Sequence, residues 1–277
     1  MENKIIVSHD AGFYSNCTIR LKHIVDFYNE YKIYPIVDSS RQWSHYKDAP
    51  GDISSIFFKE NNLNRPPIES YLAFNDSESN QFSDYKKLDY KNLGVLIDIY
   101  FQPADEILDI VEMLLNKYNL NLEKTIGVCY RGNDKQQETN LPSHEETLNK
   151  IVEIKNIYPG HNILVQSDEA EFYSHVLEKY PEAIYFNEIL KMPKNVTSAI
   201  QYNVQIGSKL NQAKIFYSIL LILSKCSQII FNSGNVGLWV CLYRGCFDNA
   251  HQYLNQKEYI YGIRNEKYNN SVGGWLF

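Results

Sequence analysis

The 277-residue sequence predicts an α/β protein: a doubly wound parallel sheet in the C-terminal half, preceded by a smaller Rossmann-like lobe. Three observations predict it. Apolar, β-prone runs alternate with amphipathic helical stretches through the second half, the pattern of successive βα units. The runs are continuously apolar, as in strands covered on both faces. Each run also stops abruptly in polar and glycine residues, and open parallel sheets bind ligands just outside such carboxyl strand ends.

The elements follow in order. Residues 4–8 (KIIVS) read as a strand, HDAGFYSN as a loop, and 17–30 as a helix in which Ile19, Ile24, Phe27 and Tyr28 approximate the helical period. A short strand is expected at 33–37. Residues 38–90 are polar, aromatic and broken by Pro50, Pro66 and Pro67, so they read as loops. Residues 94–100 (GVLIDIY) suit a strand or part of a helix. Asp105 opens a helix whose stripe is Ile107, Ile110, Val111, Leu114 and Leu115. Then come strand 125–131, a helix from Ser143 with an S-x-x-E capping box to Glu146, strand 162–168, helix 169–180 and strand 183–188. A long helix over 206–224, strand 228–233 and helix 235–245 complete the series. The expected division is an N-terminal lobe over 1–120 and a C-terminal lobe over 121–277.

Composition narrows the function. A formal net charge of −6 argues against wholesale binding to a nucleic-acid backbone. The five cysteines (17, 129, 226, 241 and 246) are odd in number and lack C-x-x-C spacing, so they read as reduced thiols of a cytoplasmic, soluble protein and not as a disulfide or zinc framework. The N-terminus has no signal-peptide apolar core, and Ser218, Ser224, Lys225 and Gln228 interrupt the most apolar stretch, 215–231, so no membrane span is expected. The sequence leaves the oligomeric state open. The 22 tyrosines read as half-buried packing residues.

Four strand ends carry the candidate chemistry: His9-Asp10-Ala11-Gly12, Arg131-Gly132-Asn133-Asp134-Lys135, Ser167-Asp168-Glu169 and Asn232-Ser233-Gly234-Asn235. The last leads into a helix, so its free N–H groups and the positive helix end suit a phosphate. Each end also has a plain structural reading. Ser233-Gly234-Asn235 suits an ordinary N-cap, Arg131 a loop ion pair, Asp168 a helix cap, and His9-Asp10 a solvated turn with Gly12 at positive φ. Asp76-Ser77-Glu78, the nearest approach to a metal-binding D-x-D, reads as a solvated turn. Trp43, Tyr46, Phe57, Phe58 and Arg41 are available to an acceptor, though such aromatics are more often core.

Gly127-Val128-Cys129-Tyr130-Arg131-Gly132-Asn133-Asp134-Lys135 resembles the G-V-H-V-R-R-T-D-K motif of the core α1,6-fucosyltransferases, relatives of the rhizobial chitooligosaccharide and protein O-fucosyltransferases. ILVQSDEAEFYSHVLEKYP and IIFNSGNVGLWVCLYRG resemble two further stretches of that family in order and spacing. The N-terminal loop with Gly12 and Asn16 is faintly similar to the glycine-asparagine loop of the O-fucosyltransferases. The resemblance covers about residues 120–245 and implies a GT-B fold. It implies that Arg131 grips the donor's β-phosphate, that Ser233 contacts phosphate and that Asp168 matches a family position, with Gly12 and Asn16 on the similar N-terminal loop; His9 and Cys129 are further candidates for the nucleotide-sugar site. Glu138, brought into register by one deleted residue, inherits the role of base, with Lys135 relaying charge; Asp10 is the other candidate base. Cys129 stands where the family has a guanine-reading histidine, and Gly132 replaces the second arginine.

The implied activity is inverting transfer of a fucose-like sugar from a nucleoside-diphosphate donor to an oligosaccharide hydroxyl, with no metal and no cofactor. A UDP-sugar transferase, such as a xylosyltransferase, and a non-catalytic nucleotide- or sugar-binding module are the alternatives. A dehydrogenase would need G-x-G-x-x-G after a strand, which is absent. The missing guanine readers make the base a measurable question. Thermal shifts against GDP, UDP, GDP-fucose and UDP-xylose should show protection by one base only: guanine supports the fucosyl reading, uracil the UDP-sugar reading.

Overall fold

The computed structural model describes residues 3–47, 49–59, 62–74, 80–194, 206–255 and 273–276. The N-terminal lobe is small. Strand β1 (Lys4–His9) pairs in parallel with β2 (Ile36–Gln42), and helix α1 (Phe13–Tyr31) connects them. One face of α1 is buried through Phe13, Cys17, Leu21, Ile24, Val25 and Tyr28. The helix begins at residue 13, earlier than its apolar period suggests, because Asn16 braces the first turn: its Nδ2 donates to the carbonyl of Ala11 at 2.8 Å. Gly12 precedes the helix at φ −57° and ψ 157°, so the turn does not use the positive φ that glycine allows.

Helices α2 (Tyr90–Tyr100) and α3 (Asp105–Lys117) follow the irregular middle region. GVLIDIY therefore belongs to a helix. Asp89 caps α2 by accepting the Asn92 N–H at 3.2 Å, and Leu93, Leu96, Ile97 and Tyr100 form its buried stripe. Helix α2 packs on α7 (Asn235–Arg244), and α3 packs on α6 (Ile206–Lys225). The segment before residue 120 thus completes the second lobe's core as well as the first.

The second sheet has strand order β5-β4-β3-β6-β7-β8. Strands β3 (Thr125–Tyr130), β4 (Asn162–Ser167), β5 (Ile184–Tyr185), β6 (Gln228–Asn232) and β7 (Ala250–Leu254) are parallel; β8 (Gly274–Trp275) is antiparallel to β7. Helices α4 (His144–Ile157) and α5 (Ala170–Lys179) cover one face with a cluster built on Val128, Ile151, Val165, Phe172 and Ile230. The other face joins α6, α7 and the N-terminal lobe in one continuous core that includes Phe13, Trp43, Tyr100, Leu164, Phe231 and Trp239. The fold is the expected doubly wound α/β architecture of two Rossmann-like lobes. The capping box holds: Ser143 Oγ accepts the Glu146 N–H at 3.1 Å, and Glu146 returns to the Ser143 N–H at 2.7 Å. Strand 183–188 shrinks to two residues, and β7 and β8 were not foreseen. Among the described residues, no helix is long and apolar enough to cross a membrane.

His251 on β7 gives the fold a pH signature. Burial, reinforced by Lys150 and Arg244, pulls its imidazole down to about 4. Between the unfolded value of about 6.5 and about 4, the unfolded chain takes a proton that the folded one refuses. Stability should therefore fall as pH drops through that window, by at most about 3 kcal/mol from this group. Urea titrations from pH 7 to 4 should show a shallower loss for His251→Gln than for the wild type.

Candidate functional site

The geometry of the sheet explains why Arg131 matters. Tyr130 pairs with Ser167 across β3 and β4, and Cys129 with Phe231 across β3 and β6. The residues just past these pairs, Arg131, Asp168 and Asn232, must therefore emerge side by side at the carboxyl edge. Asn232 clips the Arg131 backbone from one side: its Oδ1 accepts the Arg131 N–H at 2.8 Å, and its Nδ2 donates to the Arg131 carbonyl at 2.9 Å. The guanidinium then forms two ion pairs, with Asp168 and, at 2.5 Å, with Asp134. A quarter of the side chain stays exposed.

The chain then turns sharply. Asp168 also accepts the Gly132 N–H at 2.8 Å, and Glu169 accepts the Asn133 N–H at 2.8 Å. Asn133 takes a positive φ of 35° and donates from its side chain to the Asp168 carbonyl at 3.0 Å. A 3-10 turn, Asn133–Gln137, follows and carries Lys135 inward. Lys135 Nζ donates to Glu138 at 2.5 Å and to Gln81 at 2.6 Å, and lies 4.8 Å above the Phe82 ring. Burial lowers the Lys135 amine below its ordinary value, while the carboxylate of Glu138 opposes that shift.

The turn after β6 departs from its expected role as an open phosphate cradle. Ser233 is fully buried. Its N–H donates to the Tyr253 carbonyl at 2.9 Å, its hydroxyl donates to the same carbonyl at 3.0 Å, and it accepts from Gln252 at 2.8 Å. Gly234 sits at φ 153°, and its N–H donates to Tyr85 Oη at 2.9 Å. Tyr85 lies against the Phe231 ring at 5.9 Å. The reason is local: with β7 alongside β6 and residues 80–85 laid across the turn, protein groups satisfy the amides that were expected to meet a ligand. Asn235 begins α7, and its side chain reaches Thr18 of α1 at 2.9 Å and Gln81 at 3.4 Å, so it links the lobes.

The remaining candidates divide by burial. Cys129 faces the core, and burial pushes its thiol up to about 12, so it is a poor reader of a polar base. Asn16 is fully buried as a helix brace. Trp43, Tyr46, Phe57 and Phe58 are buried core and not an acceptor platform. His9 Nε2 lies 2.9 Å from Ser15 Oγ, and burial lowers its imidazole. Asp10 bonds to Ser44 and lies 3.6 Å from His45. Asp76-Ser77-Glu78 lies outside the described residues. Among those described, no group of three or more His, Cys, Asp or Glu side chains is placed to hold a metal ion. Gln81 and Tyr85 were not foreseen from the sequence, because they lie in a segment without periodic signal; Asn232 stood in a candidate strand end, but its clip on the Arg131 backbone was not foreseen.

Two Rossmann-like lobes with polar strand ends at the second sheet define a GT-B-like fold. Solved structures similar to it are those of the NodZ α-1,6-fucosyltransferase. One, soaked with GDP-fucose, has a TM-score of 0.54 at 12% identity over 91% of this chain and 94% of that one. Another, co-crystallised with GDP, has a TM-score of 0.53 at 11% identity over the same shares of the two chains. NodZ from Bradyrhizobium has a TM-score of 0.52 at 11% identity, covering 91% and 95%. No protein-family model matches the chain, and no curated protein matches it by sequence.

Tyr85→Phe tests the closed turn. Removing the hydroxyl strands the buried Gly234 N–H, so stability should fall by about 1–3 kcal/mol, read as a lower urea midpoint at unchanged slope. A change below about 0.5 kcal/mol would show that water already serves that amide.

Proposed function

We propose that the chain is an inverting glycosyltransferase that moves a sugar from a nucleoside diphosphate to a glycan hydroxyl. The observation that supports it best is Arg131: a guanidinium with a quarter of its side chain exposed, fixed by its backbone at a strand end of a GT-B-like fold, with the Lys135–Glu138 pair at the 3-10 turn that follows. The acceptor hydroxyl attacks the anomeric carbon as the bond to the diphosphate breaks. The sugar passes through an oxocarbenium-like state. Negative charge grows on the leaving diphosphate, and Arg131 stabilises it there. Asn235, at the N-terminus of α7, offers the helix end to the same anion. Glu138 takes the acceptor proton, and Lys135 keeps that carboxylate in place. Asp10, held in the other lobe, is the alternative base. Ser233 and Gly234 hold the turn and not the donor.

The similar NodZ structures were co-crystallised with GDP or soaked with GDP-fucose, which favours a guanine donor and a fucose-like sugar. A non-catalytic nucleotide- or sugar-binding module is the second reading. It is favoured by the two carboxylates that neutralise Arg131. The two readings separate in a screen for donor hydrolysis and transfer to oligosaccharides. Turnover that falls by about 10²–10³ in Arg131→Ala is the expected result. Binding of a nucleotide sugar without turnover would favour the module. Activity should persist in EDTA, since Arg131 does the work of a metal; full dependence on an added divalent ion would overturn that assignment.

A further inference from the structure

Glu169 is a buried carboxylate that this mechanism leaves unused. It is 3% exposed and lies beneath the Arg131 turn. Its Oε1 accepts the Asn133 N–H at 2.8 Å, and its Oε2 meets His144 Nε2 at 2.7 Å. His144 is the first residue of α4, packed against Tyr130 and Phe172 at ring separations of 5.1 and 5.3 Å. Its Nδ1 lies 2.9 Å from Nδ1 of His175, an exposed residue of α5. Burial alone would raise the Glu169 carboxyl, but the hydrogen bonds from His144 and the Asn133 amide outweigh it and hold it below its ordinary value. The carboxylate is therefore ionised, and His144 Nε2 carries the proton between them. A single proton between the two Nδ1 atoms then ties His175 to the chain of contacts.

Gly132 is built around this carboxylate. A Cβ at position 132 would lie 2.2 Å from Glu169 Oε1 and 2.3 Å from its Cδ. Any side chain there, arginine included, collides with Glu169 as it stands. The glycine in place of the motif's second arginine and the carboxylate below it are thus two sides of one arrangement.

We infer that Glu169, clamped by the His144–His175 pair, is the positioning residue for Arg131, a role that rests on the nucleotide-sugar reading above. Asp168 and Glu169 are adjacent, and they hold three consecutive residues: Asp168 takes the Arg131 guanidinium and the Gly132 amide, and Glu169 takes the Asn133 amide. Without Glu169 the turn keeps Asp168 but loses its support from below. A misplacement of about 1 Å at such a grip costs about 100-fold.

Calorimetric titration with GDP and with UDP tests this on the wild type, Arg131→Ala, Glu169→Ala and Glu169→Gln. Arg131→Ala and Glu169→Ala should each weaken the nucleotide that binds by about 100-fold. Glu169→Gln keeps an acceptor for the Asn133 amide and should recover to within about 10-fold of wild type. Gly132→Ala should abolish binding beside Glu169, yet add no further loss in the Glu169→Ala background, a non-additivity that general destabilisation would not give. Should Glu169→Ala fail to fold, His175→Ala at its exposed position carries the test, with binding weakened severalfold. Wild-type affinity in Glu169→Ala or in His175→Ala, or a loss that Gln does not rescue, overturns the positioning role alone. A wild type that binds neither nucleotide, or an Arg131→Ala variant that binds like wild type, overturns the nucleotide reading and the role with it.

Discussion

The site depends on one guanidinium held among carboxylates at the edge of a parallel sheet. Strand pairing brings Arg131, Asp168 and Asn232 together, and each then fixes the next. A guanidinium has five N–H donors in a planar fork. Asp134 meets Nη2 and Asp168 meets Nη1, two of the three nitrogens of the fork. In the glycosyltransferase reading proposed above, a phosphate would exchange with a carboxylate or join it. Exchange costs little where the released carboxylate can be rehydrated. Asp134 is more exposed than Asp168, which is also tied to the Gly132 amide, so in that reading Asp134 would be the one to yield. The clasp preserves the direction of the guanidinium while leaving it available.

The second constraint is the contact between lobes. Gln81 accepts from Lys135, and Tyr85 receives the Gly234 amide, so residues 80–85 close over the turn after β6. Thr18 of α1 meets both Asn235 and Trp239 of α7. The helix N-termini of the two lobes are joined through buried hydroxyl and amide groups. Such a junction tolerates little sliding, because every separation would leave a buried donor or acceptor without its partner. For the anion of the proposed reading, this junction leaves Arg131 and the start of α7.

Much of this architecture was legible in the sequence. The continuous apolar runs became β3, β4 and β6, and the capping box at Ser143 located α4, because these depend on local pattern. Asp105 likewise opens its helix where the periodic stripe begins. What was not legible depended on distant chain. Tyr85 has no periodic neighbours to announce it, yet it meets Gly234, 149 residues on. Ser233 read as a ligand contact because the turn pattern is the same whether a phosphate or Tyr253 satisfies it. Strand β7 was missed because its sequence, AHQYL, lacks the apolar run of an inner strand.

The departures from the related motif gain a physical account in the same way. Cys129, where the motif it resembles has a histidine, is buried in the core, so that strand face serves packing. At Gly132, where the motif has an arginine, a Cβ would meet the Glu169 side chain as it stands. These changes are not independent losses. A second arginine would add a charge beside Arg131 but would have to displace the Glu169 side chain, which accepts the Asn133 amide. One well-supported guanidinium is then the alternative to two: in the proposed mechanism, part of the electrostatic pull on the leaving group would be exchanged for a rigid turn.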